Sequence, residues 1–240
     1  MTNVRNQLIC LWCGPAAVLL LGVGFMPVAG LLPPPSPSYT SEQIFHTYFD
    51  SPSAVRLGLL MVCLGGGVLG PWMAVISVQL KRIEGAYSPL AYTNLGLGMV
   101  TLIVFVLPPM VMQTIAFRTD RDPSSMLALQ DLAWLSFVGI FSFPTVQCLA
   151  IALCVLTAPD QSVLPRWFGY FNAWVGLGFA PAATIYWFKS GPLAWNGVIP
   201  FWLPVGVFCI WMIVNTSVVR SAILRRGAAT MSPGTKDAVV

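Results

Sequence analysis

Charge is what this sequence lacks. Twelve Lys and Arg and eight Asp and Glu are spread over 240 residues, whereas a soluble domain carries charge at roughly a quarter of its positions. So few charges cannot cover the surface of a water-soluble fold of this size. That excludes a cytosolic enzyme, a nucleic-acid binder and a disordered chain. Histidine is scarcer still, with His46 the only one. Its isolation excludes bis-histidine haem ligation, a histidine-rich di-iron centre and an intramembrane Ser–His protease. There is no Walker A motif and no paired-carboxylate motif for magnesium-dependent diphosphate chemistry. No catalytic residue, metal ligand or cofactor is assigned.

What the chain has instead is long uncharged runs. Residues 6–41, 57–80, 85–117, 132–159, 167–188 and 190–219 contain no Asp, Glu, Lys or Arg. About 20 helical residues cross a hydrocarbon core of about 30 Å, so each run holds one span and none holds two with a return turn. The ten-residue alternation of a membrane β-barrel is missing. The expectation is an all-α fold, a six-helix transmembrane bundle with spans at about 8–32, 55–80, 90–115, 128–157, 167–188 and 197–219. Proline occurs in every span (Pro15, Pro27, Pro71, Pro108, Pro109, Pro144, Pro181, Pro200, Pro204), which predicts proline-kinked helices around a cavity. One transmembrane domain then covers 1–226, and 227–240 is expected to be a disordered cytoplasmic tail.

Basic residues set the orientation. With six spans, Arg5, Lys81, Arg82, Arg166, Arg220, Arg225, Arg226 and Lys236 share one side, and Arg56, Arg118, Arg121 and Lys189 the other. The richer side is cytoplasmic, so both termini are expected inside a bacterial inner membrane. Arg5, the apolar stretch after it and Pro27-Val28-Ala29 superficially fit a cleaved signal peptide. The stretch from Leu8 to Leu32 is longer than a signal core, and an uncleaved anchor is expected.

Between the first two spans, 33–54 reads as an external proline-rich loop with a short amphipathic helix. Thr40 and Gln43 have capping-box spacing, and Ile44, Phe45, Tyr48 and Phe49 fall on one face. That helix either lids an outward cavity or merely spaces two spans at the membrane surface. Asp122-Pro123 has the form of a helix cap and first turn. Gly66 and Gly70 have the spacing of a close helix crossing. Residues 22–29 weakly repeat at 176–183.

Few polar groups remain inside the spans. Asp131, one turn before Trp134, lies near the outer edge of the fourth span, with Arg118 its expected partner. Asn94, Asn172 and Asn215 lie on three spans at similar depth toward the cytoplasm. Such amides either hydrogen-bond helices together or line a polar vestibule. Cys10 and Cys13, at the start of the first span, read as small apolar residues and not as a redox pair.

Lys81-Arg82-Ile83-Glu84, Pro165-Arg166-Trp167-Phe168-Gly169-Tyr170 and Gly191-Pro192-Leu193-Ala194-Trp195-Asn196-Gly197 resemble stretches of a group of uncharacterised bacterial multi-pass membrane proteins, along most of the chain. The resemblance implies the topology and no activity. The functional expectation is a non-enzymatic membrane protein, either an accessory subunit or a binder of a lipophilic molecule, with Asp131, Arg118, Trp134, Asn94, Asn172 and Asn215 as candidate ligand-binding residues. Its partners would be the lipid bilayer and a lipophilic small molecule or another membrane protein, with no nucleic acid. The alternatives are a secondary transporter of an apolar or weakly charged solute and, last, a membrane enzyme using Asp131.

Overall fold

The computed structural model describes residues 2–231, and among these every regular element is helical. Five helical stretches are long and apolar enough to cross a membrane: Asn3–Val28, Pro52–Glu84, Pro89–Phe117, Pro123–Leu156 and Gly191–Ala228. They carry large apolar side chains on their outer faces as well as inside, with Leu19, Leu60, Leu64 and Ile213 exposed. A helix apolar all round belongs in lipid. The chain is a helical membrane protein. The expected fifth span, 167–188, is not among the five. It forms α8 (Arg166–Phe179), which continues as a 3-10 segment, Ala180–Tyr186. Trp, Tyr and Asn make it less apolar than its neighbours, although it carries no charge after Arg166.

Helix α1 (Thr2–Val23) runs into a π turn, Gly24–Val28, that contains Pro27. Gly30 follows at φ 65°, and the proline-rich segment beyond it is tied down by Trp195, whose Nε1 donates to the Pro35 carbonyl at 2.8 Å. Helix α2 (Ser41–Phe49) begins with the expected capping box: Thr40 Oγ1 accepts from the Gln43 amide, and Gln43 Oε1 accepts from the Thr40 amide at 2.9 Å. Its buried side chains, Ile44 and Tyr48, dock on the protein, chiefly on α6, while Phe45 stays exposed. The helix is therefore held by the bundle itself.

Helix α3 (Pro52–Glu84) is continuous through Pro71 and stops at Gly85, whose φ of 82° suits glycine alone. Glu84 then caps the next helix, α4 (Pro89–Thr101). Its two carboxylate oxygens accept from the amides of Leu90 (3.1 Å) and Ala91 (2.7 Å), donors with no partner inside the helix.

The remaining spans change geometry partway. Helix α4 passes through a 3-10 segment, Leu102–Phe105, into α5 (Leu107–Phe117). Helix α6 (Pro123–Val138), capped by Asp122 through the Ser124 and Ser125 amides, stops, and α7 (Ser142–Leu156) starts after a gap at residues 139–141. A π turn, Val198–Trp202, leads into α9 (Leu203–Met231). Each departure has a proline inside it or in the first turn after it: Pro27, Pro108, Pro144, Pro181 and Pro200. A proline supplies no amide to the helical ladder and crowds the carbonyl four residues back, so the ladder breaks there. Pro15 and Pro71 are accommodated without interruption. The related stretches 22–29 and 176–183 differ in form, the first ending in a π turn and the second in a 3-10 segment. Helix α9 extends through the start of the expected tail; residues 232–240 lie outside the described residues.

The two ends are clasped separately. At one, Gln79 Nε2 donates to Gln7 Oε1 (2.8 Å), Arg82 reaches Gln79 Oε1 (2.5 Å) and the Ala222 carbonyl (3.5 Å), and Arg225 donates to the Val163 carbonyl (2.9 Å). At the other, Arg56 Nε donates to the Ala116 carbonyl (3.1 Å), Arg121 to that of Thr114 (3.1 Å), and Tyr48 to Gln130 Oε1 (2.8 Å). Burial raises the Tyr48 phenol above its ordinary range, which keeps it a donor.

Candidate functional site

The acidic candidate is not assembled into a site. Asp131 lies on an exposed face of α6 and makes no ion pair or hydrogen bond among the described residues; the cation that acts on it is Lys189. Arg118 is exposed at the end of α5, likewise without a partner among the described residues. The expected pairing with Asp131 does not form: both side chains are exposed on their helices and neither reaches the other. Trp134 is fully buried, edge-on to Phe137 (5.8 Å between centroids) and Phe201 (6.3 Å). Its Nε1, and Gln130 Nε2 one turn earlier, are buried donors without an acceptor.

The three asparagines are fully buried, and each joins a different neighbour. Asn94 donates to Ser77 Oγ (2.7 Å) and accepts from Gln147 Nε2 (3.2 Å), linking α4 to α3 and α7. Asn172 donates to the Phe168 carbonyl (2.8 Å) and accepts from Trp211 Nε1 (2.8 Å), linking α8 to α9. Asn215 donates back to the Trp211 carbonyl (2.9 Å). Trp211 in turn packs edge-on against Trp72, whose Nε1 donates to Thr216 Oγ1 (3.1 Å). The three do not meet. Asn94 and Asn172 fasten neighbouring helices together, whereas Asn215 bonds only within α9 and its Oδ1 is buried without a partner.

The site that the fold does build is apolar. A cavity of about 240 Å³ lies between the helices, partly open to the outer face of the bundle at the exposed Gly22 and Cys209. Five departures from α geometry contribute to its wall: Phe25 from the π turn after α1, Phe105 from the 3-10 segment after α4, Phe141 from the gap between α6 and α7, Ala182 from the 3-10 segment after α8, and Phe201 from the π turn before α9. Polar side chains in the wall are few and mostly committed. Thr101 Oγ1 donates to the Leu97 carbonyl (2.8 Å) and Trp211 Nε1 to Asn172, which leaves Gln147 and the weakly polar thiol of Cys209. A second hollow, about 290 Å³, shares Val104 and Ile140 with the first and is bordered by Ser136, Ser142 and Tyr186. Ile103, Leu107 and Tyr186 are exposed there, so this hollow reaches the outer face of the bundle.

No family model matches the chain, and neither a curated protein nor a solved structure matches it.

Gln147 and the phenylalanines of the wall were not singled out from the sequence. Gln147 is the lone amide in the uncharged run 132–159, which is a signal that sequence alone offers. That this amide borders a cavity depends on where α6 stops, and no local pattern specifies that. Among the described residues no group of three or more His, Cys, Asp or Glu is placed to hold a metal. Cys10 and Cys13 are unpaired and half-buried. The KRIE stretch acts through Arg82 and Glu84 as an end clasp and a helix cap, both structural tasks.

Proposed function

We propose that the protein is a six-span protein of the bacterial inner membrane, both termini cytoplasmic, which binds a lipophilic molecule in the cavity between its helices without transforming it. The observation that carries this reading is the convergence of five departures from α geometry on one apolar cavity. Departing from α geometry in hydrocarbon gives poorer backbone hydrogen bonds, and five such departures facing one space favour a space that is used. The wall is aromatic and aliphatic, which suits an apolar body. Gly22 and Cys209 of the wall are exposed, so the cavity itself opens toward the bilayer, where a lipophilic ligand would be dissolved.

The sixth crossing is Arg166–Tyr186. At about 1.5 Å per α residue and about 2.0 Å per 3-10 residue its length matches a hydrocarbon core of about 30 Å. An even number of crossings puts both termini on the side richer in Lys and Arg, which is the cytoplasmic one.

The test uses Gly22. It lines the cavity, and nothing lies within 4 Å of a Cβ added there. Gly22 is exposed, and leucine there adds bulk at the open edge of the cavity with no backbone clash. Mass spectrometry of molecules retained by the chain in native nanodiscs should find a lipophilic species with the wild type that is depleted in Gly22→Leu, with helicity unchanged. Retention by both forms, or by neither, would overturn the reading.

A second reading, a secondary transporter of an apolar solute, is favoured by one feature. Helices α6 and α7 meet end to end inside one span, at residues 139–141 beside both hollows, and broken helices at mid-membrane are the usual transporter device. Uptake of the retained molecule into vesicles containing the chain separates transport from binding.

A further inference from the structure

The cavity contains one polar atom whose chemistry is fixed by the hydrogen bonds behind it. Gln147 is buried, at 1% exposure, and lines the cavity. Its Nε2 donates to Asn94 Oδ1 (3.2 Å) and to Met73 Sδ (3.2 Å). Asn94 Nδ2 donates to Ser77 Oγ (2.7 Å), and the Ser77 hydroxyl donates to the Met73 carbonyl (3.3 Å). This chain has a direction. Both of its ends rest on Met73, on a carbonyl oxygen and a thioether sulfur, and neither of those atoms can donate. With the Ser77 proton on the Met73 carbonyl, the Asn94 amide donates to Ser77 and the Asn94 oxygen receives Gln147 Nε2. Reversing the Gln147 amide would set its oxygen against Met73 Sδ and Asn94 Oδ1, three acceptors together. Gln147 Oε1 is left over, with no hydrogen bond among the described residues, at the cavity wall.

The seat is built for this side chain. A Cβ on Gly98 would stand 3.0 Å from Gln147 Nε2 and 3.2 Å from Met73 Sδ, so a larger residue there would push the amide out of place. Apart from the weakly polar Cys209 thiol, the other polar groups of the wall, Thr101 and Trp211, have their protons committed elsewhere.

We propose that Gln147 Oε1 is the recognition atom of the cavity, and that the bound molecule is an apolar body bearing one hydroxyl or N–H donor. The inference rests on the ligand-binding reading above and adds to it the polarity of the ligand. An acceptor-only molecule of the same shape, such as an ether, gains nothing from this atom and has to desolvate it.

The probes are 4-pentylphenol, a donor, and its methyl ether 4-pentylanisole, which can only accept. Equilibrium binding to the full chain in lipid nanodiscs is measured for each, with binding to empty nanodiscs subtracted. The phenol should bind the wild type about five-fold more tightly than the ether, the size of effect of one neutral hydrogen bond. Gln147→Leu should bring the ratio to about one. Should that variant fail to fold, Ser77→Ala carries the test: it removes the anchor that sets the direction of the chain, lets the amides reverse, and should lower the ratio without touching the cavity wall. Equal binding of both probes to the wild type overturns the proposal while the binding reading stands. A ratio that survives in Gln147→Leu, or in Ser77→Ala where that variant alone folds, overturns it as well. Binding of neither probe above empty nanodiscs overturns the binding reading and the proposal together.

Discussion

Gly24 and Gly58 touch backbone to backbone. A Cβ added to Gly24 would stand 2.7 Å from the Gly58 carbonyl oxygen, and one added to Gly58 would meet the Gly24 carbonyl oxygen and, at 2.6 Å, the Ala29 amide nitrogen. The π turn at the end of the first span is therefore pressed onto α3 with no room for a methyl group. Gly58→Ala should lower stability by about 1–3 kcal/mol, the usual range for overpacking. Thermal unfolding in detergent reads this directly, with Gly22→Ala, at an open position, as the unaffected control.

Tyr48 and Gln130 supply the buried polar link between α2 and the bundle. Tyr48→Phe keeps the ring and deletes the donor, leaving Gln130 with neither its oxygen nor its Nε2 paired. A loss of about 1–3 kcal/mol is expected for such a group. Protease cleavage within 33–50 should then become faster, while the rest of the chain is protected as before. Unchanged cleavage would mean that apolar packing of Ile44 holds the helix unaided.

His46 is the chain's only histidine, so its resonances are unambiguous. Its Nδ1 lies 2.9 Å from Asp50 Oδ1, and hydrogen bonding to that carboxylate raises its pKa. An NMR titration should give a midpoint above the ordinary value of about 6.5, returning toward it in Asp50→Asn. A pKa raised on folding has a definite sign: the pair's contribution to holding α2 is complete below the unfolded value and is lost as pH rises through the folded one. The two side chains are exposed, so the effect should also shrink with added salt.

Reporter fusions after Arg82 and after Arg226 should both report the cytoplasm, and a fusion after Asp122 the opposite side. An external signal at Arg226 alone would reduce the crossings to five and leave Arg166–Tyr186 within one leaflet.

The helices were legible because a charge in hydrocarbon is costly wherever it stands. Its absence over 57–80 or 190–219 is a statement about each residue separately, needing no partner. The caps were legible for the same reason of locality: Thr40 with Gln43 and Asp122 with Pro123 act within one turn. The candidate site was not legible. Asp131 and Arg118 suggested a pair because both lie near one end, but pairing needs two helices to turn particular faces toward each other, and they do not. The amides Asn94, Asn172 and Asn215 were visible as buried polar groups, while the partners of the first two, Ser77, Gln147 and Trp211, belong to other helices. Prolines marked where a ladder could break and did not mark which breaks would occur. Pro71 and Pro144 look alike in sequence, and only the second follows a gap.

An isolated helix frays from its ends and is firmest in the middle. In this bundle polar clasps stand at both ends, where Gln7, Gln79 and Arg82 fix one and Arg56, Arg121 and Tyr48 the other. None of these six residues lines the cavity, so the spacing of the ends is set by contacts that the cavity does not share.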